Sequence, residues 1–317
     1  MLAEKISPQW QKIIDRLKKQ GTEKELTAIQ RQIQFNCAEH NFLECETPDP
    51  LGANYHSVAE NTERLVHQYK NRCLFILTGK CFAHCRYCFR RESDALQLQF
   101  ASEAEINVLC NYIAEHSEIQ EVLLTGGDPL TASNAKLENV LQKLRKTNPN
   151  LIIRLATRAP IFAPERITNE FIAMVKNYAP VWVIPHINHY AEISKEFSPE
   201  SRQALINLRD AGIPMQSQSV LLKNVNDSVE PLAKLFNDLV VLGIKPGYLF
   251  QGDLAPGTSH FRLGINAAIE LYNQLKPELS GLSLPTFAVD LPNGGGKVNL
   301  ANITEKQYKT LQLLYGE

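Results

Sequence analysis

The chain has 317 residues, 44% of them hydrophobic and 21% charged, which is ample for one large core or two smaller ones. Thirty-three basic residues against 34 acidic ones leave a net charge of −1, so the basic surplus of a nucleic-acid binder is missing. No run of about 18 apolar residues occurs, and MLAEKISPQWQKIIDRLKKQ lacks the apolar centre of a secretory signal, so no membrane association and a cytoplasmic location are expected.

Residues 1–70 read as an N-terminal extension. It is charged and helix-permissive over 8–36 and irregular over 46–57, where Pro, Gly and Asn gather (ETPDPLGANYHS). From Cys73 onward short apolar, β-branched runs recur: CLFILT at 73, EVLLT at 121, LIIRLAT at 151, VWVIPHI at 181, IPMQSQSVLL at 213, KPGYLF at 245 and LPTFAV at 284. Stretches of helical period separate them, at 102–116, 134–147, 168–177, 199–211, 228–242 and 265–275. Ser102 with Glu105 makes a capping-box pattern, and Ser198 precedes Pro199 at a first helical position. Strand, helix, strand at intervals of about 30 residues is the βαβ unit with right-handed crossovers. The expected fold is therefore α/β: a partial or full β/α barrel over 71–297, with an open doubly wound sheet as the alternative. A short C-terminal tail at 298–317 follows.

Barrels of this kind gather their chemistry where strands end and run into helices. Polar residues cluster there. A cysteine loop follows the first strand, Gly126-Gly127-Asp128 the second and Arg158 the third; His186 ends the fourth, Gln218 lies in the fifth, Asp253 follows the sixth and Asp290 ends the seventh.

All seven cysteines fall between Cys37 and Cys110. An odd, clustered set points away from disulfides and toward metal or redox chemistry. Cys81-Phe-Ala-His-Cys85-Arg-Tyr-Cys88 reads C-x3-C-x2-C. Three thiolates can hold three irons of a [4Fe–4S] cubane and leave the fourth iron open to a small molecule. The alternatives are a structural zinc, with His84 or Cys73 as fourth ligand, or three buried structural cysteines. The second signal is Val289-Asp290-Leu-Pro-Asn-Gly-Gly-Gly-Lys297, three glycines before a lysine after a strand. A phosphate loop of the G-x4-G-K-[ST] type fails because Val298 follows Lys297. A Schiff-base lysine for pyridoxal 5′-phosphate (PLP) fits, and a flexible turn with a solvent lysine is the bland alternative.

C-x3-C-x2-C with Tyr87 before the last cysteine resembles the radical S-adenosylmethionine (SAM) superfamily, and Gly126-Gly127-Asp128-Pro129 resembles its glycine motif. Joined to CRYCFRR at 85–91, LLTGGDPL at 123–130, HINH at 186–189, GDLAPGTSHFR at 252–262 and VDLPNGGGK at 289–297, the chain is similar to the lysine 2,3-aminomutases from about Tyr69 to Lys297.

That resemblance implies a set of roles. Cys81, Cys85 and Cys88 would hold the [4Fe–4S] cluster, SAM would chelate its open iron, and Lys297 would hold PLP. Tyr69 and Arg72 would lie beside the PLP ring and phosphate, and Gly126, Gly127, Asp128, Arg158, His186 and Gln218 would form the SAM/PLP layer. Arg90 would grip the substrate carboxylate, with Arg91 as an adjacent competitor. Asp253 and Asp290 would flank the substrate's side-chain ammonium, favouring L-lysine with arginine as the cationic competitor. The implied reaction is isomerisation of L-lysine to β-lysine, with a flavodoxin- or ferredoxin-type electron donor; a variant of this chemistry supplies β-lysine for modification of elongation factor P. Three departures stand out. Position 68 is Gln where the well-known lysine enzymes have Arg. No cysteine follows Cys110, so the zinc site of some relatives is not expected. Only 20 residues follow Lys297, so the extension through which relatives form homo-oligomers is nearly absent.

Overall fold

The computed structural model describes residues 2–59 and 62–316. Ser7 caps the first helix, α1 (Pro8–Gln20), by accepting from Trp10 N–H, and Pro8 sits at the first helical position. Its residues Trp10, Ile13, Ile14 and Leu17 share one face at helical spacing, and all four are buried. The Trp10 ring meets Phe162 edge-on at 5.1 Å, so the N-terminal helix packs into the same core as the strands. A Thr22–Glu25 capping box opens α2 (Glu23–Arg31).

Two antiparallel partners, β1 (Ser57–Ala59) and β2 (Thr62–Tyr69), lead into β3 (Arg72–Thr78). The boundary expected at residue 70 thus falls in the turn of the β2–β3 hairpin. The parallel series starts at β3 and continues through α3 (Glu103–Glu115), β4 (Glu121–Gly126), α4 (Asn134–Thr147), β5 (Ile152–Thr157), α5 (Ala159–Phe162), α6 (Asn169–Asn177) and β6 (Val181–Pro185). It resumes with α7 (Pro199–Asp210), β7 (Gln216–Leu221), α8 (Val229–Val241), β8 (Lys245–Gln251), α9 (Ile265–Leu275) and β9 (Thr286–Leu291). β10 (Gly296–Asn299), antiparallel to β9, runs across the boundary expected after residue 297, and α10 (Glu305–Tyr315) follows in the tail. Every strand and helix expected from the periodicity is present. Ser102 and Glu105 make their capping box, whereas the Ser198 hydroxyl donates to Ala191 O at 2.5 Å instead of capping α7.

The strands form two sheets, ordered β1-β2-β3-β4-β5-β6 and β10-β9-β8-β7. Two parallel bridges, Val183 with Met215 and His186 with Gln218, join them between β6 and β7. Asn188 reinforces this joint: its Oδ1 accepts from Val220 N–H at 2.9 Å and its carbonyl from Asn226 Nδ2 at 2.8 Å. The result is a partial barrel of seven parallel strands.

Among the described residues no ladder joins β9–β10 to β1–β3. Side chains cross that seam. Gly294 O accepts from Gln68 Nε2 at 3.2 Å and lies 3.1 Å from His56 Nε2, and Lys297 N–H donates to Tyr69 Oη at 2.9 Å. Gly52, at φ +65°, touches Gly294 so closely that a Cβ would come within 2.0 Å of its nitrogen. No helix among the described residues is long and apolar enough to cross a membrane.

Candidate active site

The cysteine loop leaves β3 at Thr78 and is fixed from behind by the end of β4. Gly126 has φ +140°, and a Cβ there would fall 2.0 Å from Thr78 O. Gly127 N–H donates to Thr78 O at 2.6 Å and Asp128 N–H to Lys80 O at 2.7 Å. What the two glycines approach most closely is therefore the backbone that launches the loop. With those N–H groups committed, a ligand ammonium, itself a donor, would address carbonyls of this turn.

Two of the three arginines in the loop are structural. Arg86 is fully buried and forks onto Glu39 at 2.9 and 2.5 Å, and Arg91 reaches Glu39 at 2.6 Å and the carbonyls of Arg86 and Gly257. Burial works to raise the Glu39 pKa, and hydrogen bonds from Arg86 and Arg91 outweigh it, so the carboxylate stays charged. Arg90 differs. Its guanidinium stacks on Phe89 at 4.4 Å and makes no ion pair among the described residues, while Cys88, Asp253 and Cys81 act on it. Geometry thus separates Arg90 from Arg91: only Arg90 keeps a free fork.

Arg158, at the end of β5, is the hub behind the cysteines. Nη1 donates to Cys85 Sγ at 3.1 Å and to the Tyr87 hydroxyl, Nη2 donates to Glu192 at 2.7 Å, and Phe162 and Trp10 flank the plane at 4.2 and 5.2 Å. Burial alone would weaken its charge; Tyr87, Cys85 and Glu192 more than restore it. Asp128 is saturated by Thr157 Oγ1 (2.7 and 2.9 Å), Arg158 N–H (2.8 Å) and Leu130 N–H (3.0 Å), and it ties the end of β4 to that of β5. His186 lies 3.4 Å from Tyr87 Oη and 3.0 Å from Asn188 Oδ1. Burial and the Arg158 charge hold it down to about 3, so its ring is neutral near pH 7. Gln218 pairs with His186 across the joint.

On the other side of the barrel, the β9–β10 ladder sets Lys297 directly opposite Asp290. Lys297 Nζ lies 2.7 Å from Asp290 Oδ2 and 4.1 Å from the Phe250 ring centroid. Asp253 follows β8. Burial and the neighbouring Asp290 push its carboxyl up to about 7, against the pull of Lys297 and Arg90. Arg262 fixes its backbone, donating to Asp253 O at 3.2 Å while pairing with Glu46. Tyr69, whose hydroxyl accepts from Lys297 N–H, carries Arg72 over its ring at 3.8 Å.

One group of residues thus surrounds three thiols and another an amine, which pairs with Asp290 and lowers the cost of charge on Asp253. The donor sets fit their groups. The thiols of Cys81 and Cys88 are pushed up by burial, the second to about 11, and Arg158 stands ready to balance thiolate charge at Cys85. No three of His, Cys, Asp and Glu converge on a point among the described residues; a cubane asks for less, since each thiolate meets a different iron.

A profile of the Radical SAM superfamily matches residues 75–236. The Treponema pallidum protein named putative L-lysine 2,3-aminomutase is 47% identical over 306 residues, which cover 96% of this chain and 83% of that protein. The chain belongs to the lysine 2,3-aminomutase family. Within the family, the L-lysine 2,3-aminomutase of Clostridium subterminale is 37% identical over 269 residues (85% of this chain, 63% of that protein). The glutamate 2,3-aminomutase of Clostridioides difficile is 37% identical over 257 residues (81% and 59%). The chain therefore spans about three fifths of the length of these two longer members. A radical SAM methyltransferase from Sphaerobacter thermophilus shares the fold at 15% identity and a TM-score of 0.51, covering 71% of this chain and 68% of that one.

For this family member the sequence left several supporting residues unmarked. Gln32 and Glu192, both fully buried, hold Arg158 and Asn188 from behind. Glu39 anchors the arginine-rich loop. Glu39 and Glu192 each lie three residues after a capping residue, Asn36 and His189, a spacing that could have flagged them. Gln32 gives no such signal.

Proposed function

We propose that the chain is a radical SAM and PLP-dependent 2,3-aminomutase that converts L-lysine to β-lysine. The observation that carries the reading is one amine, Lys297, paired with Asp290 at 2.7 Å and acting electrostatically on Asp253, with Arg90 uncommitted at the cysteine side. When bound, the cluster and SAM supply an electron and a hydrogen-abstracting radical, and PLP supplies a carbonyl that holds an amine. Cys81, Cys85 and Cys88 are the ligands for the first, Gly126, Gly127, Asp128, Arg158, His186 and Gln218 shape the space for SAM, and Lys297, Tyr69 and Arg72 serve PLP.

The chain's own residues then select the substrate. Arg90 offers a planar fork to an α-carboxylate. Asp253 and Asp290 repel one another unless a cation lies between them. Lys297 pairs with Asp290 here; with that amine committed to PLP, the substrate's side-chain ammonium would balance the charge of both aspartates. A glutamate side chain would add a third carboxylate to the same spot. Neutral His186 lets Tyr87 and Asn188 keep their hydrogen bonds without adding charge near the cluster.

The setting follows from the reaction: an amino-acid substrate, a flavodoxin- or ferredoxin-type donor, a cytoplasmic location, and homo-oligomerisation as the form to test. The decisive assay is anaerobic. The protein is reconstituted with iron and sulfide, supplied with SAM, PLP and dithionite, and given L-lysine, L-arginine or L-glutamate, with products read by mass spectrometry. β-Lysine alone is expected. A cluster and PLP spectrum with no β-lysine would refute lysine as substrate.

A further inference from the structure

The last helix brings in a residue that none of the motifs includes. A Thr304–Gln307 capping box opens α10, Leu311 is fully buried, and Tyr308 Oη donates to Asn266 Oδ1 at 2.5 Å on α9. Beyond the helix, Gly316 O accepts from Ile265 N–H at 3.2 Å. Ile265 begins α9, directly after the 252–264 loop that carries Asp253. The C-terminal end of α10 is therefore clamped to the loop of a pocket aspartate.

At this end sits Tyr315. Its hydroxyl is buried and has no hydrogen-bond partner among the described residues, an unusual state for a buried phenol. Burial, and then the charge of Asp253, push its pKa up, so the hydroxyl keeps its proton within the electrostatic reach of that pocket aspartate. Arg262 is already committed to Glu46, Thr258 and the Asp253 carbonyl. Among the described residues none takes up the phenol's donor and acceptor.

We infer that Tyr315 supplies the third side-chain oxygen of the substrate-ammonium pocket, as a positioning residue that favours a primary ammonium over a guanidinium. The inference rests on the lysine reading above and refines it. An alkylammonium has three N–H donors in a tetrahedral array. Asp253 and Asp290 accept two, and the Tyr315 oxygen accepts the third while its own O–H donates to one of the carboxylates. A guanidinium presents a flat fork, which two carboxylates satisfy without a third oxygen out of its plane.

The test is Tyr315→Phe in the full chain, loaded with cluster and PLP, with Tyr308→Phe as a control that loosens α10 at a point outside the pocket. Calorimetric binding and steady-state kinetics are measured for L-lysine, and binding for L-arginine. Tyr315→Phe is expected to raise Kd and KM for lysine about tenfold, to leave kcat, the cluster and PLP spectra and the melting temperature near wild type, and to narrow the preference for lysine over arginine. Tyr308→Phe is expected to keep the wild-type lysine Kd. An unchanged lysine Kd in Tyr315→Phe would overturn the inference while leaving the pocket standing. Failure of the wild-type protein to bind lysine would overturn the pocket reading, and Tyr315's role with it.

Discussion

Replacing Asp253 with Asn probes what the two-carboxylate pocket costs the folded chain. The Asp253 carboxyl, ordinarily near 3.8, is pushed up to about 7 by burial and by Asp290. A shift of roughly 3 pH units, at about 1.4 kcal/mol each, amounts to about 4 kcal/mol of stability lost in keeping it ionised. The sign follows from proton binding: the folded chain holds this proton more tightly than the unfolded chain does. The cost is absent below about pH 4, grows as pH rises from 4 to 7, and is complete above 7. Asn has nearly the same shape and no charge. Asp253→Asn should therefore melt several degrees above wild type at pH 8 without lysine, since 1 kcal/mol is worth about 2–4 °C in chains of this order of size. The gain should shrink toward zero near pH 4. At the same time the variant should lose about 2–4 kcal/mol of lysine binding, roughly 30- to 1000-fold in Kd by calorimetry. A variant less stable than wild type at pH 8, or a stability difference that does not change with pH, would refute the reasoning.

Gly126→Ala should displace the cysteine loop, because the new Cβ meets Thr78 O at 2.0 Å at a φ of +140°; iron and sulfide per chain should drop, with about 1–3 kcal/mol of stability lost. Arg90→Lys and Arg91→Ala should fail in opposite ways. The first should raise KM for lysine at least tenfold with an unchanged melting temperature, since Lys cannot present a planar fork; the second should cost about 3–5 kcal/mol in denaturant unfolding by leaving the buried Glu39 cluster short of a cation. Lys297→Ala should retain the cluster spectrum, lose the PLP absorbance on desalting, and abolish turnover.

Much of this was legible in the sequence because local rules carry it. Each barrel strand is a short β-branched run, and each helix between them has an apolar stripe, so Phe75, Leu124, Ile153 and Val183 announced a core before any pairing was known. The cysteine spacing and NGGGK were legible for a similar reason: their chemistry is written in consecutive residues. Contacts between distant segments were not. Gln68 meets Gly294 across 226 residues, and Glu39 meets Arg91 across 52. The same limit kept α1 from view as a core element, although Trp10 is fully buried against Arg158 and Phe162. The resemblance pointed to Arg90 and left Arg91 as its competitor; the position of Glu39 separates the free fork from two captured ones.

The joint between β6 and β7 divides more than the sheet. The cysteines, Arg158 and His186 come from the first six-stranded sheet and its loops, and Asp253, Asp290 and Lys297 from the second, with Tyr315 on the helix that follows it. Two bridges and the hydrogen bonds around Asn188 and Ser219 connect them on one side, and Gln68, His56 and Tyr69 reach Gly294 and Lys297 on the other. The spacing between the cysteine end and the amine end is thus set partly at a joint whose own residues, His186 and Gln218, belong to the proposed SAM layer. A single amide side chain in HINH, that of Asn188, meets His186, Gln32 and Val220 at once, so trimming it would loosen β7 against β6 and release the His186 ring in the same stroke.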